Sequence, residues 1–207
     1  MIFVSTDQSC SHCAIIVWEN NKPIDRIMVK TGSSWSKTKS KNVNYFEIIT
    51  EQLNYVSNII VDLINKYDAS KFVMESPSQG SYGDAKATLI TLFRTIEEHI
   101  ITKTKLERSD ISSYAPTKVK SYARDFLPKS AQGLWVYKFN RKTDRLEEVL
   151  KKRVIMEKKH MVRACNLHSD NWLEGITKAA GQEDYADAYW IGQMYINGVI
   201  PTKKKEK

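Results

Sequence analysis

Residues that interrupt regular structure or cross-link a chain are scarce in this sequence, which has 8 glycines, 5 prolines and 3 cysteines among 207 residues. So little glycine and proline is typical of a globular protein. An odd number of cysteines fits a reducing compartment better than a disulfide-stabilised secreted domain. We therefore expect a cytoplasmic protein, or a nuclear one if its host has a nucleus.

Long apolar runs are also missing. No segment approaches the roughly 20 apolar residues that a membrane-spanning helix needs, and no basic leader precedes the first apolar segment, so neither membrane insertion nor a signal peptide is expected. The hydrophobic content of 42% is sufficient for a sizeable core. We expect a single domain over residues 1–200, followed by a basic, disordered tail at 201–207.

Positive charge is distributed unevenly along the chain. The net charge is +8, yet residues 103–163 alone contain 17 Lys or Arg and only 7 Asp or Glu. A local positive field of this kind suits the phosphate backbone of a nucleic acid. A solubilising surface is an open alternative for charge alone, whereas an anionic membrane is disfavoured because no basic helix with a bulky apolar face is evident.

Apolar periodicity predicts a mixed α/β protein. Strands are predicted at residues 2–6, 13–18, 24–30, 71–75 and 109–115, and a polar loop at 31–42. Helices are predicted over 45–67, 84–102 with Asp84 as N-cap, a short segment from Pro116, 151–165 and 183–197. The first three strands suggest an antiparallel meander. The strand–helix–strand order that follows implies a parallel, right-handed crossover.

The segment at about residues 128–150 is predicted to be a basic hairpin that projects from the domain. Leu134–Phe139 alternates between apolar and polar residues, residues 140–144 are turn-like, and Arg145–Leu150 could pair back on the first strand.

Four acids stand at the ends of predicted elements. Asp7 and Glu75 each close a buried strand, and Asp184 and Asp187 share one face at the start of the last helix. A desolvated charge is costly unless it is paired or binds a metal, so this pattern predicts a divalent-metal site. For the pair alone, an N-cap at Asp184 and a first-turn acid at Asp187 are an open alternative.

The order of these features resembles the RuvC-like Holliday-junction resolvases of the RNase H-like superfamily, from residue 2 to about residue 197. The most specific motifs are Tyr-Ala-Pro-x-x-Val-Lys at 114–120 and Asp-x-x-Asp-Ala at 184–188, and His-Met-Val at 160–162 lies between them. The resemblance implies an RNase H-like fold with a five-stranded mixed sheet, three antiparallel strands and then parallel ones, flanked by helices. It also implies a homodimer that cleaves four-way DNA junctions by paired symmetric nicks.

The resemblance further implies roles for individual residues. Asp7, Glu75, Asp184 and Asp187 would bind two Mg²⁺ ions, with Mn²⁺ able to substitute, and Lys120 would lie near the scissile phosphate. Lys151, Lys152, Lys158 and Lys159 compete for the position of a second family lysine, and Lys158 is favoured. The residues expected to contact DNA are Lys118, Lys120, Arg141, Lys142, Lys158, Lys159, Tyr82 and Trp35. Trp135 and Tyr137, near the basic segment, are further candidates for stacking on unpaired bases.

The sequence also departs from the family pattern. Gln8-Ser9 stands where a proline or glycine is common after the first acid, and the long basic insertion replaces a short glycine-containing link. Only Tyr82 is near the position of an expected base-stacking wedge. Phage and poxvirus members diverge in similar ways, which is consistent with a viral origin.

Other functions remain open at this stage. A broader nuclease acting on flaps or forks would use the same chemistry, and a non-catalytic junction-binding module would keep the fold without it. An actin-like or sugar-kinase ATPase is disfavoured, and no nucleotide cofactor is expected, because residues 6–12 lack a glycine-rich phosphate loop. Zinc at Cys10/Cys13 with Cys165/His168 is disfavoured because the spacing between the pairs is too long for a compact finger.

Overall fold

The computed structural model of the protein describes residues 1–77 and 83–202. Its strands are β1 (Ile2–Asp7), β2 (His12–Glu19), β3 (Lys22–Ser33), β4 (Asn44–Phe46), β5 (Lys71–Glu75), β6 (Ile111–Tyr114), β7 (Gly133–Asn140) and β8 (Arg145–Arg153). Its α-helices are α1 (Ile49–Lys66), α2 (Asp84–Lys103), α3 (Pro116–Arg124), α4 (Lys129–Gln132), α5 (Lys158–His168) and α6 (Gln182–Ile196). Within the described ranges, no helix is both long enough and apolar enough to cross a membrane.

The main sheet confirms the predicted mixed topology. Its strand order is β4-β3-β2-β1-β5-β6. Strands β1, β2 and β3 form an antiparallel meander, and β5 pairs in parallel with β1 while β6 pairs in parallel with β5. The sheet therefore places the carboxyl ends of β1, β5 and β6 at a common edge.

A sixth strand corrects the predicted count of five. Residues Asn44–Phe46 form β4, which pairs in parallel with the end of β3, in a region predicted to be a loop and the start of a helix. Strand β3 continues to Ser33, and α1 begins only at Ile49. Tyr45 lies so close to Gly32 that a Cβ at Gly32 would be 3.0 Å from its ring. A three-residue strand is too short to show a hydrophobic alternation.

Two other predicted boundaries were wrong. The helix predicted over 151–165 begins at Lys158 instead, because β8 continues to Arg153 opposite Gly133, and Glu157 forms a capping box with His160. Asp84 is not an N-cap. Gly83 occupies that position, without a side-chain cap, and Asp84 is the first helical residue.

Helices cover both faces of the sheet, so β1, β2 and β5 are buried on two sides. One core contains Trp18, Trp190 and the apolar residues of α3, α5 and α6. The other contains Phe72 and the apolar residues of α1 and α2. Trp18, Tyr189 and Trp190 are 0%, 3% and 0% exposed, which confirms their prediction as core residues.

A buried hydrogen-bond relay fixes α6 against the sheet. The Trp18 indole donates to Ser5 Oγ at 2.8 Å, and Ser5 Oγ donates to the carbonyl of Ala188 at 2.8 Å. Gly192 lets the helix approach closely, since a Cβ there would lie 2.5 Å from the Trp18 ring. This attachment determines where the amino-terminal turns of α6 meet β1.

Gly192→Ala is therefore expected to destabilise the protein. The added methyl group has no space beside Trp18, and overpacking a buried contact costs about 1–3 kcal/mol. Urea denaturation would measure this loss in the free energy of unfolding. An unchanged or higher value would show that α6 does not depend on this close approach.

Candidate active site

Asp7 and Glu75 are neighbours at the carboxyl edge of the sheet. Each is the last residue of its strand, and the register pairs Thr6 with Met74 immediately before them. The side chain of Gln8 connects the two strand ends, because its Nε2 donates to the Glu75 carbonyl at 2.5 Å and its Oε1 accepts from the Glu75 amide at 3.2 Å. Gln8, a departure from the family pattern, thus holds the two acids in register.

Asp184 and Asp187 enter the same edge from the first turns of α6. The helix starts after Gly181, whose φ of 96° lies in the left-handed region, and a Cβ there would be 2.2 Å from Met28. Because Gly181 holds the cap position without a side-chain cap, the N-cap interpretation of Asp184 was wrong. Asp184 and Glu183 are first-turn acids, where the helix dipole favours negative charge.

The pKa values of three carboxyl groups show that the acids form one electrostatic cluster. Desolvation raises the pKa of Asp7 well above its usual range, and repulsion from Asp187, Glu75 and Asp184 raises it further. Desolvation and Asp187 likewise raise the pKa of Glu75 to about 7. The pKa of Asp187 rises to about 6, chiefly through desolvation. A bound cation would relieve this repulsion, so a cluster of carboxylates of this kind favours cation binding.

Two lysines offset this negative charge. The ammonium group of Lys158, at the start of α5, lies 2.7 Å from Asp184 Oδ1 and 4.0 Å from Glu183. Burial lowers the pKa of Lys158, but its hydrogen bond to Asp184 and the other acids raise the pKa above its usual value. Lys120 on α3 is exposed, and its charge lowers the pKa of both Glu75 and Asp187.

Of the four lysines that competed for the second family position, Lys158 is the one paired with a cluster acid. Lys159 instead pairs with Glu157 at 2.8 Å, and Lys151 and Lys152 lie on β8. A catalytic role for Lys158 stays a prediction, and its position favours it over the other three.

A cleft of about 390 Å³ opens beside the acids. Its lining residues include Asp7, Asp184, Lys158, Ser9, His12, Glu183 and Lys178. Glu183 and Lys178 were not predicted as site residues from the sequence. Glu183 adjoins Asp184 in the same helical turn, a signal that could have been used, whereas Lys178 reaches Glu183 at 3.2 Å from a separate turn and had no sequence signal.

The donor set fits magnesium chemically. Mg²⁺ prefers carboxylate and water oxygens, and the cluster offers carboxylates that raise one another's pKa. Across residues 1–77 and 83–202, no three His, Cys, Asp or Glu side chains stand in position to ligate one ion together. Ligation by Asp7, Glu75, Asp184 and Asp187 therefore stays a prediction.

The cysteine pairs considered for zinc do not meet. Cys13 lies in the core beneath α1 and α2, and Cys165 lies in the core on the other side of the sheet. Because the sheet separates them, the two pairs cannot form one site.

The predicted DNA contacts are spread over several surfaces. Trp35 is 80% exposed, Arg141 and Lys142 lie exposed in the turn of the β7–β8 hairpin, and the Lys118 ammonium donates to the carbonyl of Ile200. Tyr82 lies outside the described residues. A DNA-binding role for each of these residues remains a prediction.

Comparison with solved structures identifies the fold. Thermus thermophilus RuvC in complex with a Holliday-junction substrate matches with a TM-score of 0.59 and 9% identity, over 97% of this chain and 98% of that chain. A second T. thermophilus RuvC structure matches with a TM-score of 0.59 and 9% identity, over 97% and 99% of the two chains. No protein-family model matches the sequence, and no curated protein is significantly similar to it.

The protein therefore has the fold of RuvC along nearly its whole length. This confirms the RuvC-like fold predicted from the sequence motifs. At such low sequence identity the likeness establishes the fold, and the activity has to be argued from the site.

Proposed function

We propose that this protein is an Mg²⁺-dependent endonuclease that resolves four-way DNA junctions by paired symmetric nicks. The observation that carries the proposal is the electrostatic cluster of Asp7, Glu75 and Asp187 at one sheet edge, bordered by Lys158 and Lys120. The RuvC-like fold supports it, because one of the matching structures is a complex with a Holliday-junction substrate.

The chain's own residues suit phosphodiester hydrolysis. Asp7, Glu75, Asp184 and Asp187 would hold the Mg²⁺ ions, whose chemistry is to activate water and stabilise the leaving oxygen. Lys120 and Lys158 would bind the phosphate and offset the negative charge that develops on it. The pKa values of Glu75 and Asp187 are raised, so a bound cation would favour the ionised form of these carboxyl groups and promote release of their protons.

The decisive experiment is incubation of the protein with an end-labelled synthetic four-way junction, with and without Mg²⁺. We expect nicks at symmetric positions in two opposing strands only when Mg²⁺ is present. Binding without nicking under both conditions would instead identify a non-catalytic junction-binding module.

A panel of substrates would test the selectivity. A broader debranching nuclease would cut flaps and replication forks about as fast as four-way junctions, whereas a resolvase would prefer the junction. The long basic insertion between the Val-Lys and His-Met-Val motifs is the reason for testing several substrates. Contacts from such a peripheral segment would contribute to recognition of the junction's shape.

Paired nicking calls for two active sites, and we propose that a homodimer supplies them. The amino-terminal half of α2 supports this, since Leu89 and Ile90 are 37% and 39% exposed there. Sedimentation equilibrium should give twice the monomer mass. Leu89→Glu should reduce that mass and abolish coordinated second-strand nicking, and a monomeric wild type would contradict the proposal.

Removing Lys158 should slow cleavage more than binding. Lys158→Met is expected to reduce the cleavage rate about 10²-fold, within the range for loss of one group that stabilises a transition state. It should also move the pH dependence of cleavage upward, because the charge of Lys158 lowers the pKa of Asp187, Asp7 and Glu75. Single-turnover rates across a pH series measure both effects.

Lys105→Met is the matched control for Lys158→Met. Lys105 is also an exposed, paired lysine, but its partner is Asp68, outside the candidate site. An equal loss of rate in both variants would show that overall charge, rather than the position of Lys158, governs cleavage.

A further inference from the structure

One face of the β7–β8 hairpin presents large apolar side chains to solvent. Opposite residues of antiparallel strands share a face, and the register pairs Phe139 with Leu146 and Tyr137 with Glu148. Tyr137, Phe139 and Leu146 therefore lie on the same side, where they are 72%, 57% and 68% exposed. We call these three residues the aromatic face.

The base of the hairpin is held firmly by α4. The indole of Trp135, on the same side as the aromatic face, donates to the Lys129 carbonyl at 2.9 Å, and the Lys129 ammonium lies 5.0 Å from the Trp135 ring. Lys129 also pairs with Glu148, and Val154 N donates to the Gln132 carbonyl at 2.8 Å. The aromatic face thus extends from an anchored base, so a ligand that binds it would not have to order the whole segment.

The hairpin that carries the aromatic face has an excess of positive charge. Residues 133–153 contain 7 Lys or Arg and 3 Asp or Glu. Two of these three acids have partners within the protein. Glu147 accepts hydrogen bonds from Asn140 and Thr143, and Glu148 forms an ion pair with Lys129. Flat rings within a positive field match a ligand that combines planar apolar groups with negative charge.

We propose that the aromatic face stacks on unpaired or exposed bases at the branch point of DNA, an inference that rests on the proposed function. Bases offer planar faces beside phosphates, and stacking on aromatic side chains within a basic groove is a general mode of binding unpaired strands. A second copy of the chain is a poorer occupant, because two positive hairpins would repel each other. The insertion also connects α3, which carries Lys120, to α5, which carries Lys158.

The test is binding in EDTA, so that it does not depend on cleavage. The probe is a four-way junction with 2-aminopurine at the branch point, compared with a perfect duplex of equal length. Tyr137→Ala combined with Phe139→Ala should weaken binding to the junction about tenfold, the loss expected from one stacked base. The double variant should also abolish the change in 2-aminopurine fluorescence that accompanies binding of the wild type. Its binding to the duplex should be unaltered.

Two further variants keep the result interpretable. Tyr137→Phe combined with Phe139→Tyr retains the rings and should bind like the wild type, which separates stacking from loss of the hairpin structure. Leu134→Ala removes an apolar residue that is 55% exposed on the opposite face, and it should have no effect on binding to the junction.

Three outcomes would overturn the inference: unchanged binding of the junction by the double alanine variant, an equal loss for junction and duplex, or a change in oligomeric mass. The last would identify a second copy as the occupant. Absence of Mg²⁺-dependent nicking in the wild type would contradict the proposed function and leave this binding result standing, so the two failures are distinguishable.

Discussion

Asp7→Asn is expected to abolish junction cleavage while leaving junction binding close to that of the wild type. Asp7 lies at the centre of the acid cluster, since Asp187, Glu75 and Asp184 all raise its pKa. Loss of its charge should remove the strongest site for a cation and reduce the rate by about 10³-fold or more, the upper part of the range for a single electrostatic group. Binding should persist, because the change removes negative charge from a surface that we propose to face phosphate.

The measurement for Asp7→Asn pairs single-turnover cleavage with junction affinity measured without Mg²⁺. Asp62→Asn is the matched control, because Asp62 is exposed on α1 in a helix that covers the other core. Parallel loss of affinity and cleavage in Asp7→Asn would contradict a metal-binding role and indicate damage to the DNA-binding surface.

Glu75→Gln is expected to stabilise the metal-free protein at about pH 8 while it abolishes cleavage. Desolvation raises the pKa of Glu75 from 4.5 to about 7, so the folded protein favours the protonated, neutral form. At about 1.4 kcal/mol per pKa unit, ionising this group at alkaline pH costs up to about 3 kcal/mol of folding free energy. Glutamine retains the shape without that cost.

The sign of the pH effect follows from the direction of the shift. A carboxyl group with a raised pKa contributes stability that is fully present below the unfolded value of 4.5 and is lost as the pH rises through about 7. The wild type without metal should therefore be less stable at about pH 8 than at about pH 5, and Glu75→Gln should show a flatter dependence.

Chemical denaturation with and without Mg²⁺ would measure these differences. Mg²⁺ should restore much of the stability of the wild type at alkaline pH, because a ligand that binds only the folded state stabilises it, and it should have little effect on Glu75→Gln. A variant less stable than the wild type at alkaline pH would show that the Glu75 carboxylate is satisfied by the protein alone.

Much of the fold was predictable because it depends on local patterns. Short continuous apolar runs located β1, β2 and β5, and the alternation of Leu134–Phe139 predicted the hairpin. The patterns failed at β4, where only three residues pair with the end of β3, and at residues 151–153, where pairing across the hairpin overrides helix propensity.

The residues of the candidate site were likewise only partly predictable from the sequence. Its four acids were identifiable because each closes a strand or opens a helix, and Lys120 because it belongs to a motif. Lys158 could not be separated from its neighbours in the sequence, since the choice depends on the 2.7 Å contact with Asp184. Lys178 gave no signal, because it reaches the cleft only through the turn that precedes α6.

The sequence by itself determined which side chains stand at the ends of strands and helices, because periodicity and capping depend on residues a few positions apart. Only the tertiary structure decided that these ends meet. The contact that sets α6 against β1 joins Ser5 to Ala188, which are 183 positions apart. Such a contact arises from close fit around Trp18 and Gly192 and from strand pairing, and neither is contained in any short segment of the chain.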